Sequence, residues 1–313
     1  MMMWIDKYIE MISKEDISIE EINNARLFKN QYVPKSLYKY RSINDKSLDN
    51  IKNNTIWLSN ALDLNDLYDS AVTFDADKLL NEMIRENREY LDGLNLSDTE
   101  LKRLKSSQDT LNELIDITFE KDPQFLNSDC SQTIRSKISQ YFKKDNHEKT
   151  SRFVEGTQKS TYICSFAAKF DSINMWSHYA NSNKGFCVEY GLDSDHFKNM
   201  IFPVKYSGKI FDVTTILKNA RRGNTNNLYS YVTAMHKSSD WSYEEEWRII
   251  LPIGMNYSSR NIQAPAITAI YLGSRISTEN ETKIIDIANK SGIECYKMKM
   301  SNEQFKLIAE KIN

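Results

Sequence analysis

With 313 residues, 40% of them hydrophobic and 27% charged, the chain is long enough for one large domain or two small ones and belongs to the soluble globular class. A formal net charge of −2 gives no overall attraction to nucleic acid or anionic lipid, so nucleic-acid binding would need a local basic patch. The four cysteines (Cys130, Cys164, Cys187, Cys295) form no CxxC pair, which argues against zinc and for reduced thiols in a cytoplasmic protein; neither a leader at Met1–Trp4 nor an apolar run of roughly 18 residues points to a membrane.

In chain order, Trp4, Ile5, Tyr8, Ile9 and Ile12 recur at helical spacing, and Ser18 with Glu21 offers a capping box for a second short helix. A strand at Ser36–Arg41, a helix at Asp45–Asn53 and a strand at Thr55–Ser59 follow. From residue 76 to about 150, Leu79, Leu80, Met83 and Ile84, then Leu101, Leu104, Leu111, Leu114, Ile115 and Phe119 keep a helical period, with a capping box at Ser97 and Glu100. Strands are expected at Thr161–Phe166, Gly185–Tyr190, Ile201–Tyr206, Trp247–Pro252 and Ala266–Leu272. A helix capped at Thr278 and Glu281 ends near Gly292, a strand runs Ile293–Met298, and a capped terminal helix begins at Ser301. The expected organisation is N-terminal helices (1–35), an α+β mixed-sheet core in two parts (36–75 and 156–313) and a helical insertion (76–155).

The segment Trp241–Ile250 carries the strongest site signal. Read as a strand, it puts Tyr243, Glu245, Trp247 and Ile249 on one face and Ser242, Glu244, Glu246, Arg248 and Ile250 on the other. Two carboxylates and a guanidinium on one face must pair or meet water, a ligand or a substrate. In Leu37–Ser42, Lys39 and Arg41 share a face opposite Tyr38 and Tyr40; two cations there suit a phosphate or pyrophosphate, or else guard a solvated edge. Asn65, Asp66 and Asp69 follow the second strand as a structured turn or a polar pocket wall. Met175–Ala180 reads as a helix in which Trp176 and His178 sit among aromatic residues, with the imidazole as base, clamp or core hydrogen-bonder.

Taken together, the motifs L-Y-K-Y (Leu37–Tyr40), N-D-x-x-D (Asn65–Asp69), C-S-F (Cys164–Phe166), M-W-x-H-Y-A (Met175–Ala180), G-F-C-x-E-Y (Gly185–Tyr190) and W-x-x-E-x-E-W-R (Trp241–Arg248) resemble a large bacterial family of unknown function, loosely linked with abortive infection and phage defence. The likeness runs from about residue 36 to 275, with Leu67 where relatives usually carry proline. More distantly, a cation-bearing strand, a helix, a strand with a small hydroxyl residue and a late glutamate strand resemble ADP-ribosyltransferases.

That second resemblance implies NAD as co-substrate, bound by Lys39, Tyr40 and Arg41, with Ser59 lining the pocket and Glu244 or Glu246 stabilising the ribosyl cation left by nicotinamide. Trp176, His178 and Arg248 are expected to complete the binding surface. The leading expectation is therefore an intracellular defence effector, an ADP-ribosyltransferase or NAD glycohydrolase acting on an unknown macromolecule. Two alternatives stand beside it: a non-enzymatic nucleotide- or partner-binding sensor, and a Mg²⁺-dependent nuclease using Asp66, Asp69, Glu244 and Glu246.

Overall fold

The structure, a computed structural model, describes residues 3–122, 131–223, 226–252 and 260–313. Cys130 lies outside the described residues; Cys164, Cys187 and Cys295 are buried free thiols. No described helix is long and apolar enough to cross a membrane.

The chain divides into two units. The larger holds residues 1–71, 157–210 and 226–313 and is α+β. Its main sheet draws on β1 (Ser36–Arg41), β3 (Ser59–Asn60), β5 (Tyr162–Ala167), β6 (Phe186–Gly191), β7 (Ile201–Pro203), β11 (Glu246–Leu251), β13 (Ala266–Leu272), β14 (Glu294–Met300) and β15 (Leu307–Lys311). Their order is β15-β14-β13-β6-β1-β5-β11-β7, with β3 beside β5. The β13–β14 pair is parallel and its neighbours antiparallel, which makes the sheet mixed. Short pairs lie off this sheet: β2 (Thr55–Trp57) with β12 (Asn261–Gln263), and β8 (Lys205–Ser207) with β10 (His236–Ser238).

Period-two alternation sorts the side chains by face. On one face Leu37, Phe166, Val188, Trp247, Ile249 and Ile270 pack with Ile51 of helix Asp45–Asn53 and with Ile284 and Ala288 of helix Thr278–Ser291. On the other, Tyr40, Ala167, Cys187 and Tyr271 pack with Met175 and Trp176 of helix Ile173–Tyr179. The N-terminal helices Met3–Ile12 and Ile19–Asn30 belong to this unit, and the Ser18–Glu21 capping box forms.

The smaller unit holds residues 72–156 and 211–225. Leu80, Ile84, Leu104, Leu111, Leu114, Ile115 and Phe119 form its apolar centre, and β4 (Val72–Thr73) pairs with β9 (Phe211–Asp212).

Four local expectations change. The strand expected at Ile201–Tyr206 is broken at Val204, whose N–H goes to the Glu246 carbonyl, so β7 and β8 serve different partners. The strand expected at Thr55–Ser59 is broken at Leu58, whose N–H goes to the Arg260 carbonyl, so β2 and β3 serve different partners. The strand alternation read from Trp241 holds only from Glu246: Ser239–Glu244 is a 3-10 turn, and Glu245 is left-handed at φ 46°. The terminal helix expected from Ser301 is a strand. Ser301 Oγ does accept the Glu303 and Gln304 N–H groups, but Leu307–Lys311 then pairs along β14.

Candidate functional site

Beside β5 the sheet has a breach. β1 meets β5 at one register position, Tyr38 opposite Ala167, while β3 meets it farther along, at Ser59 opposite Ile163. Between these points the Ser165 carbonyl accepts a hydrogen bond from Lys39 Nζ at 2.8 Å, and the ammonium stands 5.3 Å from the Phe166 ring centroid. A cleft of about 180 Å³ opens here. Lys39, Arg41 and Ser59 contribute to one side of its lining, and Asn65, Asp69, Tyr179, Lys237, Glu244 and Glu246 to the other; Tyr40 also lines it, with its ring on the strand face opposite Lys39 and Arg41, against Trp176.

The two halves come from opposite faces of the sheet. Arg41 shares its strand face with Leu37 and directs Nη2 at Asn50 Oδ1 (2.7 Å) in helix Asp45–Asn53. Glu246 and Arg248 alternate with Trp247 and Ile249, whose side chains pack in the Leu37 core, and so project the other way. Sequence spacing alone cannot show that cation strand and acid strand meet only through a breach.

The acid side is a buried ion cluster. Lys237 Nζ lies 2.6 Å from Glu244 Oε2, 3.0 Å from Glu246 Oε2 and 3.6 Å from Asp69 Oδ2. Arg248 binds Glu246 through Nε (2.7 Å) and Nη2 (3.0 Å), and Asp69 through Nη1 and Nη2 (2.7 Å each). Its Nη1 also reaches the Ala234 carbonyl at 2.8 Å. Tyr206 Oη accepts the Glu246 N–H at 2.8 Å. Three carboxylates thus face two cations, with every one of these side chains at most 4% exposed.

This imbalance separates the two glutamates. Burial opposes the Glu246 charge, yet Arg248 and Lys237 overcome it and hold the carboxyl well below the usual range. Burial lifts the Glu244 carboxyl, and repulsion from Glu246 adds to that lift against the pull of Lys237. Lys237 stays firmly charged: burial works against it, but Glu246, Glu244 and Asp69 outweigh burial. A pair of acids driven apart in this way is the pattern from which acid and base roles are assigned.

Three of the expected binding residues are placed elsewhere. Arg248 is fully buried and its donors are taken up by Glu246, Asp69 and the Ala234 carbonyl, so it orders the cluster and has none to offer a ligand. Trp176 is also fully buried, its indole N–H bonded to the Phe170 carbonyl at 2.7 Å. His178 is exposed and does not line the cleft; its ring stands 6.2 Å from that of Tyr243.

Two contributors lie outside the expected catalytic and binding residues, although Tyr179 belongs to the M-W-x-H-Y-A motif. Tyr179 Oη donates to Glu244 Oε1 at 2.6 Å and accepts from Asn65 Nδ2 at 3.2 Å. Lys237, inside the Tyr- and Lys-bearing stretch before Trp241, supplies the central ammonium.

Residues 175–249 match the family described as Protein of unknown function (DUF2971). No curated protein and no solved structure matches the chain. The matched segment carries Tyr179, Lys237, Glu244, Glu246 and Arg248, whereas Lys39, Arg41 and Asp69 precede it. The DUF2971-matched segment therefore supplies most of the acid side of the cleft and none of its cationic side.

As a metal site the cluster is poorly suited. The oxygens of Asp69, Glu244 and Glu246 already face Lys237 and Arg248, so a divalent ion would have to compete with two fixed cations. Asp66 is turned to its own loop, its Oδ1 accepting the Tyr68 N–H.

Proposed function

We propose that this protein cleaves the nicotinamide–ribose bond of NAD and transfers ADP-ribose to an acceptor, a macromolecule in the fullest form of the reading. One observation carries it: Lys39 and Arg41 line the same cleft as Glu244 and Glu246. Cations at one end suit a pyrophosphate, and carboxylates at the other suit a developing ribosyl cation. Among the described contacts Lys39 gives one N–H to Ser165 and Arg41 one to Asn50, which leaves donors on both for an anion.

The acids divide the work. Glu246, held ionised, supplies fixed negative charge beside the reacting carbon. Glu244, with its carboxyl lifted toward neutrality, suits a base that takes the acceptor's proton. At about 180 Å³ the cleft is smaller than the ~300–1,000 Å³ usual for small-molecule sites, so it would enclose the reacting end of the dinucleotide and leave the rest outside. A role in bacterial defence enters this reading through the motif resemblance.

The test is nicotinamide release from NAD by the purified protein, with and without bacterial lysate, beside Glu246→Gln and Arg41→Ala. Release that needs lysate and disappears in both variants supports transfer to a macromolecule. Release without lysate supports hydrolysis. Absence of release from folded wild type defeats the reading.

A second reading is favoured by the self-satisfied cluster. Asp69, Lys237, Glu244, Glu246 and Arg248 neutralise one another, as in a binding module whose acids hold the cleft walls together. Binding of intact NAD without turnover, measured by calorimetry, would point to it.

A further inference from the structure

We infer that Tyr179 is the proton-accepting group of the cleft, passing the acceptor's proton inward to Glu244. The inference rests on the transfer reading above and names the residue that touches the acceptor.

Glu244 is only 4% exposed, and both of its oxygens are engaged inside the protein: Oε2 faces Lys237 and Oε1 faces Tyr179, each at 2.6 Å. A base enclosed in this way needs an intermediary. Tyr179 is half-buried, lines the cleft and sits between Glu244 and Asn65. Asn65 donates to the phenol oxygen, which orients the phenol O–H toward Glu244 and leaves the oxygen able to accept from the cleft.

The step balances. As the ribose carbon–nitrogen bond breaks, nicotinamide leaves with the bonding pair as a neutral molecule. The acceptor's oxygen or nitrogen forms the new bond to that carbon and gives its proton to Tyr179 Oη. Tyr179 gives its own proton to Glu244 Oε1 and ends as a neutral phenol. The cluster, with three carboxylates against two cations, goes from one net negative charge to none, and no oxidant or reductant is involved. The transfer is favoured where the surplus carboxylate is least stable as an anion.

Among the described residues, Lys237 from β10 and Tyr179 from helix Ile173–Tyr179 bond the Glu244 oxygens, Glu246 from β11 repels its charge, and Tyr206 from β8 and Tyr243 from its own turn feel it electrostatically; Asn65 joins through Tyr179, and Asp69 and Arg248 join through Lys237 and Glu246. Lys237 and Arg248 are fixed cations and the buried Glu244 carboxyl is lifted above its ordinary value, so the ionisation that sets activity is assigned to the Tyr179–Glu244 pair.

The measurement is nicotinamide release across pH 5.5–9 by wild type, Tyr179→Phe and Glu244→Gln, each shown to be folded by its thermal melt. We expect kcat in Tyr179→Phe to fall by roughly 10²-fold or more, KM for NAD to stay near its wild-type value, and the rising limb of the pH profile to vanish. Glu244→Gln should show the same loss, and the double variant no more than either single one, because the two act as a unit. An active wild type whose Tyr179→Phe or Glu244→Gln variant keeps both rate and rising limb overturns this inference while leaving NAD cleavage intact. A wild type that releases no nicotinamide overturns the underlying reading and the step with it.

Discussion

Arg248 and Asp69, 179 residues apart in sequence, meet as a two-pronged pair: Nη1 to Oδ1 and Nη2 to Oδ2, each at 2.7 Å and fully enclosed. The pair fastens the loop after β3 to β11 and so fixes one wall of the cleft. Removing one partner of a buried pair leaves the other charge without compensation, at a cost of about 3–5 kcal/mol. Arg248→Met should therefore lower unfolding free energy by that order in urea titration. Added salt should not imitate the effect, because the pair is shielded from counterions. A loss below about 1 kcal/mol would show that the cluster is relaxed in solution.

His236 makes a second prediction, on pH. Burial pushes its imidazole down from 6.5 to about 4, while its Nδ1 bonds the Val232 carbonyl at 2.7 Å. With the folded value below the unfolded one, the unfolded chain takes up the proton first. Stability is then intact above pH 6.5 and falls as pH drops toward 4, by up to about 3 kcal/mol at 1.36 kcal/mol per unit. His236→Gln should flatten that part of the stability–pH curve, as followed by urea midpoints at half-unit intervals. An unchanged slope would place the acid sensitivity elsewhere.

Gly185 tests how tightly the cationic side is built. A Cβ added there would stand 2.1 Å from the Arg41 carbonyl oxygen and 3.0 Å from that of Ala180, both backbone atoms that cannot swing aside. Gly185→Ala should thus displace the end of β1 that carries Arg41. Overpacking of this kind costs about 1–3 kcal/mol, and more where the contact is to backbone. The check is a thermal melt together with NAD affinity, both of which should fall. A variant that melts and binds like wild type would mean that the loop can move away without cost.

The residues explain which parts of this picture were readable in advance. Ser36–Arg41, Asp45–Asn53 and Ala266–Leu272 were legible because period, capping and packing agree locally. The pairing of Glu246 with Arg248 was legible because a strand places alternate residues on one face. Glu244 reached the same cluster by another route, a 3-10 turn and a left-handed Glu245, which strand alternation does not describe. Asp69 and Lys237 join it through long-range contacts that leave no local periodic mark. Ser301 gave a genuine capping signal that forms as a turn, but the pairing of Leu307–Lys311 with β14 overrides helix continuation. The breach beside β5 depends on which strands share an edge, and that is fixed only by tertiary pairing.

The two glutamates should respond differently to the same substitution. Glu246 is held below its ordinary value of 4.5, so it contributes stability above that pH and loses it as pH falls further. Glu246→Gln removes the anion shared by Arg248 and Lys237, and should cost about 3–5 kcal/mol at neutral pH. Glu244 has the opposite sign. Its folded value lies above 4.5, so its ionisation weakens the folded state as pH rises from 4.5 through that raised value. Glutamine there removes this penalty, and its amide can offer oxygen to Lys237 and N–H to Tyr179, so stability at neutral pH should stay within about 1 kcal/mol of wild type or exceed it. Urea titrations of both variants at pH 5 and pH 8 decide the matter. Equal losses would mean that the surplus negative charge is shared across the cluster and is not borne chiefly by Glu244.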